Sequence, residues 1–394
     1  MKGVSSTKPA QRMEGLPPYL FLELDRIVER QRKAGHDVIN LGIGDPDLPT
    51  PDHIVQAMKD ALDVTENHRY PNYLGSNAFR EAMADWYRTR FGVELDPVEE
   101  VVGLIGSKEG IAHLIWAWAG PGDVVLVPDP AYPVYQTVTM LSDATPYPLP
   151  LVRENRFLPD LRAIPESVLA KAKMLWLNYP NNPTGAIAPR EFLAEAVELC
   201  RRWDILLCHD AAYAEMGYDG YRAPSVLEIP GAKEVAVEFY SFSKPFNMTG
   251  WRIAAAVGAA PAIVALGQLK SNLDSGPFTA VQDAAIAALR ENPQAVFDRM
   301  NAIYQARRDL VISRLQAMGI PAEAPAATFY VWFPAPRGMT SAQASAFFVE
   351  KANVVVTPGR AYGEHGEGWL RIALTVEEPR LKEALDRMAR ALAD

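Results

Sequence analysis

Between residues 101 and 257 lie six short runs that are nearly continuous in apolar residues: Val101 to Ile105, Asp123 to Val127, Lys173 to Leu177, Ile205 to His209, Val235 to Phe242 and Ile253 to Val257. A strand with one wet face alternates polar and apolar residues, whereas a strand covered on both faces does not. Helix-like segments such as Lys108 to Ala119 and Pro189 to Trp203 separate the runs. The pattern predicts an α/β fold, with a mostly parallel central sheet sandwiched by helices.

The chain ends read differently. Residues 1–50 offer one helix-like segment, Leu20 to Ala34, and the loop Gly42-Ile43-Gly44-Asp45-Pro46-Asp47, too little to fold alone. Beyond residue 290 come a long helix, Pro293 to Met318, three strands, Phe329 to Phe333, Asn353 to Val356 and Trp369 to Leu374, and a closing helix, Glu378 to Leu392. This predicts a smaller α+β domain built from both chain ends, residues 1–50 and 291–394, around a large domain over 51–290.

Composition removes several classes. Hydrophobic residues at 49% and charged residues at 22% exclude a largely disordered or fibrous chain. A net charge of -9 gives no global attraction to nucleic acid or to an anionic membrane. The two cysteines, Cys200 and Cys208, cannot build a disulfide framework or a cysteine metal site. With no signal-peptide core in the first twenty residues, the expected location is the cytoplasm. The uncharged stretch between Arg252 and Lys270 is broken by Gly258 and Pro261 and is read as a buried strand running into a helix.

Some motifs fail on inspection. Gly42-Ile43-Gly44 opens like a dinucleotide fingerprint, but Asp47 stands where a third Gly or Ala is needed. The histidines fall in no metal-ligand spacing, so no metal is expected. Ser241-Phe242-Ser243-Lys244 satisfies S-x-x-K without the companion elements of acyl-serine chemistry. What remains is a lysine beside two hydroxyl residues at a strand end, with Arg252 shortly after: a phosphate cradle with an amine nucleophile above it. Three more polar loops follow predicted strands, where α/β sheets bind ligands: Asn178 to Gly185, Asp210 to Tyr213, and Gly106-Ser107-Lys108-Glu109-Gly110. The last opens a helix, whose free N–H groups favour an anion.

Taken in order, GIGDPDLPTP at 42–51, HRYPNYLGSNAFREAMADWY at 68–87, NYPNNPTG at 178–185, HDAAYAEM at 209–216, SFSKPFNMTGWRIAAAVG at 241–258 and PGRAYGEHGEGWLRIAL at 358–374 resemble the fold-type I pyridoxal-phosphate aminotransferases, classes I and II. The likeness covers nearly the whole chain. The opening LPPYLFLELDR and the form SFSK-x-x-NMTGWR are most similar to LL-diaminopimelate aminotransferases and their aspartate and alanine aminotransferase relatives.

The resemblance implies roles residue by residue. Lys244 resembles the lysine that forms a Schiff base with pyridoxal 5′-phosphate and then shuttles a proton, and Asp210 the carboxylate paired with the pyridinium nitrogen. Asn182 and Tyr213 resemble the pair that hydrogen-bonds the phenolic oxygen, and Tyr132 the aromatic stacked on the ring. Ser107, Lys108, Ser241, Ser243 and Arg252 would hold the phosphate, joined by Tyr70 from the neighbouring subunit of a homodimer. Arg371 resembles the fork that grips the substrate α-carboxylate, with Gly44 approaching the same group.

The implied reaction moves an amino group between an amino acid, LL-diaminopimelate first, and 2-oxoglutarate, which would place the chain in lysine biosynthesis. A general aspartate/alanine aminotransferase and a carbon–sulfur lyase are the alternatives on the same fold. A transcription regulator built on it would need a helix-turn-helix domain ahead of the Gly42 loop, where only about 40 residues stand. In some relatives a lysine at the position of Lys108 approaches the distal carboxylate of an acidic substrate, so the resemblance favours a dicarboxylic amino acid. Plant-type diaminopimelate aminotransferases carry an acidic residue three positions after the tyrosine matching Tyr70, where this chain has Tyr73.

Overall fold

The computed structural model describes residues 8–13, 15–16 and 20–393; Pro17, Pro18 and Tyr19 of the opening segment lie outside them. Seven strands form one sheet: β1 (Val101–Leu104), β2 (Val124–Asp129), β3 (Thr145–Pro150), β4 (Ala172–Leu177), β5 (Leu206–Asp210), β6 (Ala236–Ser241) and β7 (Ala254–Gly258). Their order is β1-β7-β6-β5-β4-β2-β3, parallel throughout except for β7, which runs antiparallel between β1 and β6.

Burial explains the apolar runs. Leu175, Leu207, Tyr240 and Ala255 pack into the core on one face of the sheet. Met174, Cys208, Phe239 and Ala256 pack into the core on the other. Both faces are dry, so alternate positions are equally apolar. The helix Arg190–Trp203 buries Phe192, Leu193, Ala196, Val197 and Cys200, a stripe at helical spacing, and Asp204 ends it in the left-handed conformation.

β3 is the strand that no apolar run announces. Its sequence is TPYPLP, and Pro146, Pro148 and Pro150 stand at alternate positions beside Val125, Val127 and Asp129 of β2. The strand lies at the sheet edge. Alternate residues turn their N–H to the same side, so all three missing donors fall on the unpaired side.

A second core lies beyond the sheet. There the helix Pro293–Ala317 and the closing helix Glu378–Ala393 pack on an antiparallel sheet of Tyr330–Pro334, Trp369–Ala373 and Thr357–Pro358. Ile39 and Leu41 join this core, and Ile39–Asn40 pairs in parallel with Val354–Val355. The single strand expected at Asn353 to Val356 is thus corrected: Val354–Val355 serves the pair with Ile39–Asn40, and Thr357–Pro358 starts again in another sheet. The loop after Leu41 is fastened to the same sheet. Thr357 Oγ1 donates to Gly42 O at 3.0 Å, and Thr375 Oγ1 to Ile43 O at 2.7 Å. Arg307 grips both Asp47 oxygens at 2.7 and 2.8 Å and donates to Leu374 O at 2.9 Å. No helix among the described residues is long and apolar enough to cross a membrane.

Candidate active site

The carboxyl ends of the parallel strands face the second core across a cavity of about 340 Å³. Ser107 and Lys108 enter from the helix after β1, Tyr132 from the loop after β2, and Asn182 from the loop after β4. Asp210 and Tyr213 come from the end of β5, and Ser241, Ser243 and Lys244 from the end of β6. Arg252, just ahead of β7, and Gly44 and Tyr330 from the opposite side complete the wall. A doubly covered sheet leaves polar loops only at strand ends, and residues distant in sequence therefore meet there.

Lys244 is half-buried against this cavity, with Nζ donating to Gly44 O at 3.2 Å. Burial lowers its pKa to about 8; Asp45 and Asp210 oppose the shift, while the charges of Arg252 and Arg371 add to it. The amine is therefore far more often neutral near pH 7 than an exposed lysine.

Asp210 is buried at the last position of β5, not exposed as a cap on a surface loop. Its Oδ2 accepts from the Tyr135 hydroxyl at 2.7 Å, and Asn178 Nδ2 donates to its backbone oxygen at 2.7 Å. Burial pushes its carboxyl above the usual range, against the pull of the Tyr135 hydrogen bond. His209 belongs elsewhere: its Nδ1 lies 2.8 Å from Glu238 in the buried interior.

At the other end of the cavity, Gly106 precedes the helix Ser107–Trp118 with φ +85. The left-handed backbone favours glycine there, and a Cβ would come within 2.1 Å of Arg252 Nη2 and push the guanidinium aside. Arg252 Nη1 is held by Thr249 O at 2.9 Å. Ser243 N donates to Ser241 Oγ at 3.2 Å, tightening the turn into Lys244.

Arg371 is buried, not part of a surface ion pair. It donates to Asn182 Oδ1 at 2.8 Å and to Gly42 O at 2.7 Å, with its guanidinium 4.0 Å from the ring centroid of Tyr330. Tyr330 has no counterpart in the sequence reading, and neither do Tyr135 and Asn178 as partners of Asp210. Asn178 opens the polar loop after β4, but no local pattern marks Tyr135 or Tyr330. Tyr70 stands apart from the rest: it is 87% exposed and does not line the cavity of its own chain.

Glu109, His113 and Asp274 also approach one another. The buried Lys270 Nζ lies among them, 2.9 Å from Asp274 and 3.4 Å from Glu109, and ties the two carboxylates together.

The cavity suits a planar heteroaromatic phosphate. Asp210 Oδ1 and Ser107 Oγ are buried, belong to lining residues and have no hydrogen-bond partner among the described residues. The first offers an acceptor for a protonated ring nitrogen. The second, with Arg252 and the helix N-terminus, offers donors for a phosphate.

Comparison with known proteins agrees. The family model for aminotransferase class I and II matches residues 36–388. The LL-diaminopimelate aminotransferase of Desulforudis audaxviator is 54% identical over 379 residues, covering 96% of each chain. That of Moorella thermoacetica is 53% identical over 383 residues, covering 97% of this chain and 98% of its own. Among solved structures, apo-BacF from Bacillus subtilis superposes with a TM-score of 0.94 at 39% identity, covering 98% of each chain. The chain belongs to the class I and II aminotransferases and is a transaminase that works with pyridoxal phosphate.

Proposed function

We propose that this enzyme moves an amino group from LL-diaminopimelate to 2-oxoglutarate, acting in the cytoplasm as a homodimer with shared active sites. The observation that carries the chemistry is the placement of Lys244, its pKa lowered to about 8, in one cavity with Asp210. The substrate reading rests on relatives of that name at 53–54% identity over nearly the full length.

Bound pyridoxal phosphate supplies a carbonyl to carry the amino group and a ring to take up the electron pair left when a proton departs. The protein does the rest. Ser107, Lys108, Ser241, Ser243 and Arg252 hold the phosphate, and Tyr132 covers the ring face. Asn182 and Tyr213 hold the phenolic oxygen. Asp210 holds the proton at the ring nitrogen, where an ionised carboxylate is the natural partner. Lys244 would act as the general base, taking the proton from the substrate Cα and holding it at Nζ for return. Arg371, with Gly44 beside it, presents its fork to the α-carboxylate and fixes which substrate hydrogen faces Lys244. Tyr70, exposed on its own chain, reaches the phosphate of the partner subunit. Residues 1–50 and 291–394 act as a small domain against the large one over 51–290.

Steady-state kinetics with 2-oxoglutarate as acceptor test the substrate. LL-diaminopimelate is expected to exceed aspartate and alanine in kcat/KM by about a hundredfold, the scale set by satisfying a charged distal group. A value below both overturns the substrate reading in favour of a general aspartate/alanine aminotransferase. Release of pyruvate and ammonia without any acceptor would instead mark a lyase.

A further inference from the structure

We propose that Tyr135 is a positioning residue: it fixes the Asp210 carboxylate in line with the ring nitrogen of the cofactor and sets how the proton between them is shared. The inference rests on the reading of Asp210 given above.

Tyr135 is fully buried, and its hydroxyl meets Asp210 Oδ2 at 2.7 Å. A carboxylate turns about a soft two-fold torsion, so a bond to one oxygen settles where the other points. The other oxygen, Oδ1, is the one without a partner among the described residues. The Tyr135 ring is stacked on Trp176 at 5.1 Å with 16° between planes. It also meets Tyr132 edge-on at 6.0 Å. The hydroxyl is thus held at the end of a rigid aromatic support that rises from β4.

Burial and the nearby Asp210 charge push the Tyr135 phenol well above its ordinary value, so the hydroxyl keeps its proton and the bond runs one way, from Tyr135 to Asp210. Such a bond stabilises the ionised carboxylate. Without it Asp210 becomes the stronger base and draws the shared proton from the ring nitrogen toward Oδ1. No atom is gained or lost; the proton only changes sides. A ring nitrogen without its proton is a weaker electron sink. Tyr132 and Tyr135 stand three residues apart around the start of the helix Val134–Leu141, so a single turn of chain delivers both the ring-covering aromatic and the hydroxyl behind Asp210.

Tyr135→Phe keeps the ring and removes only the hydroxyl. The apo-protein is to be reconstituted with cofactor carrying 15N in the ring, and the 15N resonance, the cofactor dissociation constant and the melting temperature measured. The resonance is expected to move toward that of unprotonated pyridine, and the dissociation constant to rise about ten- to a hundredfold, the range for a hydrogen bond to a charged group. In an Asp210→Ala background the same change should have no further effect on the resonance. A wild-type resonance in Tyr135→Phe, with Asp210→Ala displaced, overturns the role of Tyr135 alone. A wild-type resonance in Asp210→Ala overturns the reading of Asp210 beneath it. Should Tyr135→Phe fail to fold, 3-fluorotyrosine at 135, a stronger donor, must move the resonance the opposite way; no movement overturns the proposal.

Discussion

The guanidinium of Arg371 lies 4.0 Å from the ring centroid of Tyr330, whose hydroxyl is 3.1 Å from that of Tyr213. One aromatic side chain therefore supports both the arginine assigned to the substrate carboxylate and the tyrosine assigned to the cofactor. It also explains Gly44, since a Cβ at that position would come within 2.1 Å of the Tyr330 hydroxyl.

Gly44→Ala should displace Tyr330 and, with it, Arg371. Overpacking of this kind costs about 1–3 kcal/mol, and KM for every amino acid and keto acid substrate should rise together. Thermal denaturation and KM values for two chemically different substrates check this. Unchanged KM values would mean that Tyr330 moves aside without disturbing Arg371.

Arg371→Lys keeps the charge but not the fork that reaches both Asn182 and Gly42. Removing one partner from a buried charged contact costs about 2–5 kcal/mol, so kcat/KM should fall at least about thirtyfold for all substrates. A loss confined to dicarboxylic substrates would place Arg371 at the distal end instead.

The Lys244 pKa is lowered to about 8 from 10.5, so its neutral, reactive amine appears as pH rises through about 8. Covalent capture of pyridoxal phosphate by the apo-protein, followed by absorbance, should show that midpoint. Asp45 pulls the pKa upward. Asp45→Asn should then shift the midpoint to lower pH, and a shift to higher pH would contradict the electrostatics described.

Tyr70, 87% exposed on its own chain, should act across a dimer interface. Mixing Tyr70→Phe subunits with Lys244→Ala subunits should yield heterodimers in which one site holds both native residues. Activity should exceed that of either parent. Heterodimers that form without any gain would place Tyr70 within its own subunit.

The strands of the large sheet were legible because burial on both faces leaves runs such as Ile205 to His209 without polar interruption. β3 was not, because Pro146, Pro148 and Pro150 are tolerable only at an edge, and edge position is a property of the finished sheet. Residues of the site that stand at a strand end or just beyond it, such as Asp210 and Lys244, lie in local motifs. Tyr135 meets Asp210 across 75 positions, and Tyr330 meets Tyr213 across 117. Sequence order holds no trace of such pairings; only the folded chain brings them together.

Borohydride reduction of the cofactor-loaded enzyme, followed by peptide mapping, tests most directly the claim that the chemistry turns on the Lys244 amine. A stable pyridoxyl group on Lys244 is expected, absent from a Lys244→Ala variant that still binds the cofactor. A stable pyridoxyl group on Lys108 or any other lysine, with Lys244 unmodified, would contradict it.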